Sequence, residues 1–449
     1  MTDVPTVDGA QLAQAHRKRA LGLAVVTSLF SKGGTFGLIL IAMPLAHHVL
    51  GPERFGVFGA LQTLMWFMGM ADLGIGAGVA RRLTVATSLG DHDEQGRIMS
   101  TGFFMMTGVL LIMGLVGALV LWMVPVETLF GKNFGPYADE LRFNLWLGGG
   151  IFLSLMIIGT ALKAREANHE IHIFNLFGAV GNVLAAGLLF FGIQRVPEVW
   201  FLLVSIYGVQ VVVWLLNALH AFRQRPWLWP RLGSFHRPLA GSMVVQGVGF
   251  FVLLGVTPIL GREIIRWLLG QYYTPTEVGN FTILAQLGYF IFGMIFMVTY
   301  PLSPALVDAT ARQDYAWIRR TNSRLTRLGL VGVVLGPLVL ALAGPAMVRL
   351  WFQMVLPLGP IELGAYGLFF MLTVWTHLHC VMLAGLGKIR AAAGIATLEG
   401  VAVCVGAWIG VKTHGMVGAC FGGAVAMLLT SFLLFPRLLR QSVPSVSVL

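Results

Sequence analysis

Apolar runs of about twenty residues follow one another along almost the whole chain of 449 residues. A helix of roughly twenty residues crosses the about 30 Å hydrocarbon core of a bilayer. Only helices and closed barrels satisfy their backbone hydrogen bonds in lipid. Charged residues make up 11% of the chain, which is about half their share in a typical soluble domain. The sequence therefore predicts an all-α polytopic membrane protein.

Twelve apolar runs can be counted between polar breaks. They cover residues 21–49, 55–80, 99–124, 141–162, 171–193, 199–221, 239–261, 279–304, 325–347, 361–385, 390–411 and 415–436. The segments between and around them predict five regions: an N-terminal tail at 1–20, six spans within 21–222, a basic linker at 223–238, six spans within 239–436 and a C-terminal tail at 437–449.

Lysine and arginine residues are distributed unevenly between the two sides of the predicted spans. If both termini are cytoplasmic, the cytoplasmic segments hold 21 of them and the opposite segments hold eight, with Lys32 inside a span. Because basic residues next to a span tend to stay in the cytoplasm, we predict that both tails and the linker are cytoplasmic. This distribution also explains the net charge of +11 without nucleic acid as a partner.

A short internal repeat relates the second and eighth predicted spans. Four residues recur at a constant offset of 223 positions: Pro52, Gly56, Phe58 and Leu61 match Pro275, Gly279, Phe281 and Leu284. Halves with an even number of spans have the same orientation and are related by an axis along the membrane normal. The repeat therefore predicts two six-helix bundles with a pseudo-two-fold axis along the membrane normal, enclosing a central cavity.

The sequence contains no motif typical of a soluble catalytic or nucleotide-binding domain. The glycines at 74, 76 and 78 follow no strand and lack the GK[ST] ending of a phosphate loop, so we interpret them as helix-packing residues. The three cysteines show no CxxC spacing. We expect no catalytic residues, no metal site and no cofactor, and hence a protein that is not an enzyme.

Ionisable residues at membrane depth are the candidate functional residues, because a charge there is costly unless it faces a partner or water. Lys32 lies about 18 Å into the first span at 1.5 Å per residue, on a polar face with Ser31 and Thr35. Asp72 lies about 12 Å from the cytoplasmic end of the second span. Two interpretations stay open: a structural ion pair between Lys32 and Asp72, or a role in binding substrate or a coupling ion.

Two arginines lie four residues apart in the extension of the seventh span beyond Pro258. Arg262 and Arg266 share a helix face, with Glu263 beside them. One interpretation is an amphipathic turn at the membrane interface, flanked by aromatic residues. The other places the two guanidinium groups in the cavity, where they would bind a phosphate-bearing ligand.

His377 in the tenth span and Glu399 in the eleventh are further candidates for ion coupling. A lone histidine is commonly a packing residue, whereas Glu399 could be a carboxyl held neutral by burial, a proton-coupling group or a substrate contact. Arg81, Arg82 and Arg165 lie at the predicted cytoplasmic ends of spans, where positive charge sets the topology.

Three segments resemble a known family. GPERFGVFGALQTL followed by ADLGIGAGVARRLT resembles the start of Wzx-type polysaccharide flippases, and THGMVGACFGGAVA is similar to the entry to their last span. These flippases form part of the multidrug, oligosaccharidyl-lipid and polysaccharide exporter superfamily. The family generally has an acidic residue in the region of GREIIR, a position that Glu263 fills here between two arginines.

The resemblance implies that the chain moves a polyprenyl-pyrophosphate-linked oligosaccharide across the bacterial inner membrane by alternating access. It also implies contact with membrane lipid, coupling to protons or sodium ions, and polysaccharide polymerase or assembly proteins as partners. We expect Lys32 and at least one of Arg262 and Arg266 to contact the phosphate groups, with Asp72 as a further substrate-binding candidate.

Three alternative functions would each require a different feature of the sequence. A cation-coupled multidrug exporter of the same fold would favour a cavity dominated by acids. A peptidoglycan-precursor flippase would typically have fourteen spans. An integral-membrane glycosyltransferase or polysaccharide polymerase would need a large polar loop with catalytic residues, and no loop much longer than about twenty residues separates the predicted spans.

Overall fold

The computed structural model describes residues 7–68, 74–250, 257–299 and 302–443. Within these ranges the chain is helical and contains no strand. The helices are α1 (Val7–Met68), α2 (Ile75–Ser88), α3 (His92–Met123), α4 (Val126–Phe130), α5 (Ala138–Ala161), α6 (Lys163–Ala167), α7 (Ile171–Gly192), α8 (Val199–Leu203), α9 (Val209–Gln224), α10 (Arg237–Phe250), α11 (Thr257–Tyr272), α12 (Pro275–Thr299), α13 (Leu302–Ala311), α14 (Tyr315–Phe352), α15 (Pro360–Gly385), α16 (Ile389–Leu429) and α17 (Ser431–Ser442).

Nine stretches of the described chain are long and apolar enough to cross a membrane. Two of them contain a break, because Gly51 in α1 and Gly415 in α16 have positive φ angles of 77° and 58°. A straight helix over the 39 residues Phe30–Met68 would be about 58 Å long, nearly twice the hydrocarbon thickness. The multi-pass, all-α membrane architecture is confirmed.

Several helix ends differ from the predicted span ends. Arg81 and Arg82 do not end a helix, since α2 continues to Ser88, and α14 begins at Tyr315, ten residues before the predicted span. The last predicted span is divided at Thr430, whose backbone leaves the helical conformation between α16 and α17. A helix can continue beyond an apolar run because its backbone hydrogen bonds are made within the helix and do not require lipid.

The chain divides into two compact units. Unit 1 consists of residues 1–49, 71–119 and 144–247, and unit 2 of residues 50–70, 120–143 and 248–449. This grouping does not follow the order of the chain. The division into two six-helix bundles at 21–222 and 239–436, with its linker and tails, stays a prediction.

Unit 1 has a core built from small and aliphatic side chains of α2, α3, α6, α9 and α10. Val79, Leu83 and Met99 are fully buried there, and Phe222 of α9 is part of the same core. Gly78 allows α2 to approach α10, because a Cβ at this position would lie 3.0 Å from the Met243 carbonyl oxygen. Small residues at helix crossings are the usual means of close packing in membranes.

Unit 2 contains a helical hairpin formed by the two parts of α16. The chain reverses at His414 and Gly415, both of which have non-helical backbone angles. Gly406 and Gly410 then pack directly on the backbone of Gly422 and Gly418, respectively, so that a Cβ at any of these positions would overlap a carbonyl oxygen. These four glycines therefore allow direct backbone-to-backbone contact between the two parts of α16.

The two copies of the internal repeat are in contact within unit 2. A Cβ at Gly56 would overlap the carbonyl oxygen of Pro275, and a Cβ at Gly279 would lie 2.8 Å from the carbonyl oxygen of Pro52. Each copy thus places its glycine on the proline of the other copy. We call this arrangement the reciprocal Pro–Gly contact.

Candidate functional site

The predicted site residues are only partly covered by the structure. Asp72 and the side chain of Arg262 lie outside the described residues, so the proposed Lys32–Asp72 pair and the shared face of Arg262 and Arg266 remain predictions. Lys32, Glu263, Arg266, His377 and Glu399 are described.

Lys32 lies on α1 beside a line of amide and hydroxyl groups in unit 1. Asn182 of α7 donates from Nδ2 to the Thr35 hydroxyl at 2.8 Å and to the Ser31 carbonyl oxygen at 3.3 Å. Gln210 of α9 donates to Asn182 Oδ1 at 3.0 Å. Lys32, one helical turn before Thr35, is partly buried. We call this group the polar seam.

The polar seam extends by one further pair. Asn175 lies two turns before Asn182 on α7, and its Nδ2 lies 3.4 Å from the Thr27 hydroxyl. Asn182 uses both amide hydrogens and its carbonyl oxygen within the seam, whereas the Oε1 atom of Gln210 has no partner among the described residues. A wall of amides and hydroxyls at membrane depth can hydrogen-bond sugar hydroxyls, which lipid cannot do.

Glu263 and Arg266 form a buried ion pair on α11 in unit 2. Arg266 Nη1 lies 3.1 Å from Glu263 Oε2, and the two side chains are 1% and 2% exposed. Tyr289 of α12 donates its phenolic hydrogen to Glu263 Oε1. Arg266 Nη1 also lies 3.4 Å from the Gly59 carbonyl oxygen. Glu263 and Arg266 therefore lie inside unit 2, whereas the interpretation of this segment as an amphipathic turn at the membrane interface stays a prediction.

A polar layer surrounds this ion pair. Gln286 donates to Gln62 at 3.1 Å, and the Thr63 hydroxyl lies 3.5 Å from Glu263 Oε2. Arg266 Nε is buried and has no hydrogen-bond partner among the described residues. An unsatisfied guanidinium N–H in a protein interior is costly, which makes it a position for a water molecule or a ligand oxygen.

A small apolar cavity lies between α12 and α15. Phe281, Tyr289, Tyr366, Phe369 and Phe370 contribute aromatic rings to its wall. Tyr289 therefore contacts both the cavity and Glu263. The cavity is too small and too apolar to hold an oligosaccharide. It adjoins the Glu263–Arg266 ion pair through Tyr289, and α15 forms its opposite wall.

His377 and Glu399 occupy different environments. His377 Nε2 lies 3.0 Å from the Thr299 hydroxyl, and its ring packs on Phe292 and Phe296. This is the arrangement of a packing histidine. Glu399 is 3% exposed and accepts a hydrogen bond from Thr376 at 2.7 Å. Among the described residues no group of three or more His, Cys, Asp and Glu side chains could hold a metal ion.

A second buried charge cluster, which sequence reasoning missed, lies in unit 1. Arg165 is 1% exposed and contacts Glu170 at 2.5 Å, Gln224 at 3.0 Å and Asn217 at 3.1 Å. Arg225 binds the other carboxylate oxygen of Glu170 at 2.6 Å. Arg165 thus joins the segment after α5 to the end of α9, and its role in setting the topology stays a prediction.

The carboxylate of Glu170 holds this cluster together outside the spans. Burial alone would raise its pKa, but hydrogen bonds from Arg225 and Arg165, together with their charge, outweigh burial and keep the pKa of Glu170 below its usual value. A carboxyl with a lowered pKa stabilises the fold in full above its unfolded value of about 4.3. The contribution is lost as the pH falls through the lower, folded value.

Replacing Glu170 with Gln should therefore destabilise unit 1 by about 2 kcal/mol at neutral pH, because Arg165 would stay buried without its anion. The measurement is the thermal unfolding midpoint in detergent as a function of pH. Glu166→Gln is the matched control, since Glu166 is 50% exposed and pairs with Lys163 at the surface. We expect the difference between the two variants to disappear in acid, and equal midpoints at neutral pH would contradict the role of Glu170.

The fold defines the class of protein to which the chain is similar. An inward-facing multidrug resistance MATE family transporter of the MOP superfamily superposes with a TM-score of 0.70 at 15% identity, over 90% of this chain and 94% of that one. The lipid II flippase MurJ superposes with a TM-score of 0.65 at 11% identity, over 92% and 90%. The chain has the fold of these transporters.

Two proteins are similar to the chain in amino-acid sequence. A putative O-antigen export protein of Yersinia pseudotuberculosis is 21% identical over 418 residues, covering 89% of this chain and 91% of that protein. The succinoglycan biosynthesis transport protein ExoT of Rhizobium meliloti (strain 1021) is 32% identical over 183 residues. That match covers 40% of this chain and spans a third of the relative's length, 33%. No protein-family model matches the chain.

Proposed function

We propose that the protein is a flippase that moves a polyprenyl-pyrophosphate-linked oligosaccharide from the cytoplasmic to the periplasmic leaflet of the bacterial inner membrane. The product would serve surface polysaccharide synthesis, and translocation would proceed by alternating access. Both termini would face the cytoplasm, as the distribution of basic residues favours. The chain would act as a transporter and not as an enzyme.

The polar seam is the observation that carries this proposal. Its amides and hydroxyls match the donors and acceptors of sugars, and Lys32 adds a cation one turn from Thr35. The similarity to the O-antigen export protein along nearly its whole length supports the same substrate class. The polyprenyl chain would stay in the lipid, so only the head group would need a polar path.

The cations proposed for the phosphate groups differ in their surroundings. Lys32 is partly buried beside the polar seam, whereas Arg266 is fully buried and forms an ion pair with Glu263. We propose Lys32 as the first contact of the pyrophosphate. Arg262 and Arg266 would contribute in a state in which Arg266 exchanges Glu263 for a phosphate oxygen, since guanidinium groups bind both anions bidentately.

Deletion of the gene and complementation test the function. Loss of the protein should remove surface polysaccharide and cause lipid-linked oligosaccharide to accumulate on the cytoplasmic face of the membrane. Unchanged polysaccharide would contradict the proposal. Polymerase or assembly proteins are sought among the proteins that co-purify with the transporter from the complemented strain.

Replacing Lys32 with Ala should reduce export at least tenfold at unchanged protein level, because a charge-assisted hydrogen bond to phosphate contributes about 1.5–3 kcal/mol. Lys32→Arg should retain most export, since the charge is kept. Lys163→Ala is the matched control, because Lys163 forms a surface pair with Glu166. Full export by Lys32→Ala would exclude Lys32 from the substrate path.

The second candidate function is a cation-coupled multidrug exporter. The structural similarity to MATE transporters favours it. The pairing of Glu263 with Arg266 argues against it, because the pair has no net charge with which to attract a cationic drug. Loss of drug resistance on deletion, with polysaccharide intact, would replace the flippase by the exporter.

A further inference from the structure

Helix α14 has one face inside unit 2 and one face outside it. A Cβ at Gly329 would lie 2.9 Å from the ring of Trp375 on α15, and a Cβ at Gly336 would overlap the side chain of Met371 on the same helix. The buried residues of α14 recur at helical spacing: Ile318, Gly329, Val333, Leu340, Gly344, Val348 and Phe352. The opposite side of α14 is exposed and meets the surroundings of the protein.

The exposed face of α14 is apolar over one membrane thickness. Five aliphatic side chains occupy it at intervals of three or four residues, each at least 50% exposed: Leu328, Val331, Leu335, Leu338 and Leu342. No charged residue occurs between Arg327 and Arg349, which lie on the same face. At 1.5 Å per residue these two arginines are about 33 Å apart, close to the hydrocarbon thickness of about 30 Å. The face therefore contacts lipid, with an arginine at headgroup level at each end.

One end of this face carries three arginines. Arg320, Arg324 and Arg327 are spaced by four and three residues, so they project from one side of α14 over about 10.5 Å of its axis. All three are exposed and form no ion pair with the described residues. No acidic residue occurs within 315–327. Asp314, just before this segment, caps the helix by accepting a backbone hydrogen bond from its first turn. We call the three arginines the arginine stripe.

The topology of the chain does not require the arginine stripe. Orientation depends on how many basic residues adjoin a span, whatever side of the helix they occupy. Like charges four residues apart on a helix also destabilise it. An anion between the guanidinium groups removes this repulsion. Phosphate is well suited, because each guanidinium group offers paired N–H donors in the plane of its oxygen atoms.

We propose that the arginine stripe binds the phosphate group of an anionic phospholipid of the surrounding bilayer. The acyl chains lie on Leu328, Val331 and Leu335, which follow the stripe on the same face. The three positive charges favour a lipid with a net negative charge over a zwitterionic one. In the predicted orientation, with both termini in the cytoplasm, the stripe lies in the cytoplasmic leaflet. The lipid site does not rest on the proposed function.

Native mass spectrometry of the purified full-length protein tests this site. The probes are phosphatidylglycerol and phosphatidylcholine with the same acyl chains, of which only the first has a net charge. The wild-type protein should bind phosphatidylglycerol about tenfold more tightly than phosphatidylcholine. Arg320→Gln/Arg324→Gln/Arg327→Gln should lose this preference, since loss of a charge-assisted hydrogen bond weakens binding about tenfold or more. Because the three positions are exposed, the unfolding midpoint of this variant in detergent should match that of the wild type.

A second triple variant is the matched control. Arg223, Arg231 and Arg237 are also exposed, but they are distributed over the end of α9, the linker and the start of α10, without a common helix face. Arg223→Gln/Arg231→Gln/Arg237→Gln removes the same charge and should keep the preference for phosphatidylglycerol. Equal binding of phosphatidylglycerol by the wild type and the stripe variant, or an equal loss in both triple variants, would overturn the proposal.

An unglycosylated polyprenyl diphosphate distinguishes bilayer lipid from transport substrate as the occupant. Phosphatidylglycerol in large excess, as in a bilayer, should keep this diphosphate from the arginine stripe. If the wild type retained the diphosphate under this condition and the stripe variant did not, the stripe would be a docking site for substrate and the assignment to bilayer lipid would be wrong. None of these measurements involves transport, so failure of the proposed function would leave their results unchanged.

Discussion

The Arg266→Met variant is expected to lose about 3–5 kcal/mol of folding free energy, because it leaves Glu263 buried without a cation. The two side chains are 1% and 2% exposed, so bulk water does not screen the carboxylate charge that remains. Tyr289 already donates to one carboxylate oxygen and cannot neutralise the charge. The variant should accumulate poorly in the membrane and unfold at a markedly lower temperature in detergent.

A double variant separates the ion pair from the shape of the side chains. Glu263→Gln/Arg266→Met removes both charges at similar volume and should recover most of the stability, as neutral replacements of buried pairs generally do. The thermal midpoints of the two single variants and the double variant form a cycle. If the double variant were as unstable as the sum of the single ones, the charges would not be coupled.

A surface pair with the same spacing is the matched control. Glu94 and Arg97 are also three residues apart on a helix, with Arg97 at 61% exposure and an N···O distance of 3.8 Å. Arg97→Met should cost at most about 1 kcal/mol, the usual value for an exposed pair. The difference in lost folding free energy between Arg266→Met and Arg97→Met measures how much burial raises the cost of breaking a Glu–Arg pair three residues apart on a helix.

Replacing Gly56 with Ala should prevent normal folding of unit 2. The added Cβ would overlap the carbonyl oxygen of Pro275, and backbone atoms of two packed helices cannot move aside as a flexible side chain can. We expect a cost of about 3 kcal/mol or more, seen as low protein yield and a low unfolding temperature. Gly279→Ala should have a smaller effect, because its Cβ would lie 2.8 Å from the Pro52 carbonyl oxygen.

Gly33→Ala is the control for this substitution. Gly33 also lies in α1, and a Cβ there would have no heavy atom within 4 Å. Because Ala has a higher helix propensity, this variant should be neutral or stabilised by up to about 1 kcal/mol. Equal behaviour of Gly33→Ala and Gly56→Ala would mean that the reciprocal Pro–Gly contact does not form in the membrane.

The hydrophobic pattern was sufficient to predict the helical membrane fold, and the offset of 223 positions was sufficient to find the repeat. The contact between the two copies could not be predicted, because similarity between two segments says nothing about the distance between them. The reversal inside α16 was visible as a break before residue 415, but only the structure shows the backbone-to-backbone packing of Gly410 on Gly418.

Less of the candidate site than of the fold could be predicted from the sequence. The search for charges at membrane depth found Lys32, Glu263, Arg266 and Glu399 but did not consider neutral amides. Asn182 and Gln210 would have been found by asking which strongly polar side chains lie within predicted spans. The burial of Arg165 has no such signal, because the sequence places it at a span end, where exposed arginines are common.

The reciprocal Pro–Gly contact has the geometry of an isologous interface, in which the same surface serves both partners. Gly56 meets Pro275 while Gly279 meets Pro52, so each copy of the motif carries both halves of the contact. A chain half this length with one copy could therefore form the contact with a second molecule of itself. In the present molecule the two copies of the motif meet in this way at one shared crossing point, although most of the residues around the matched prolines and glycines differ between the copies.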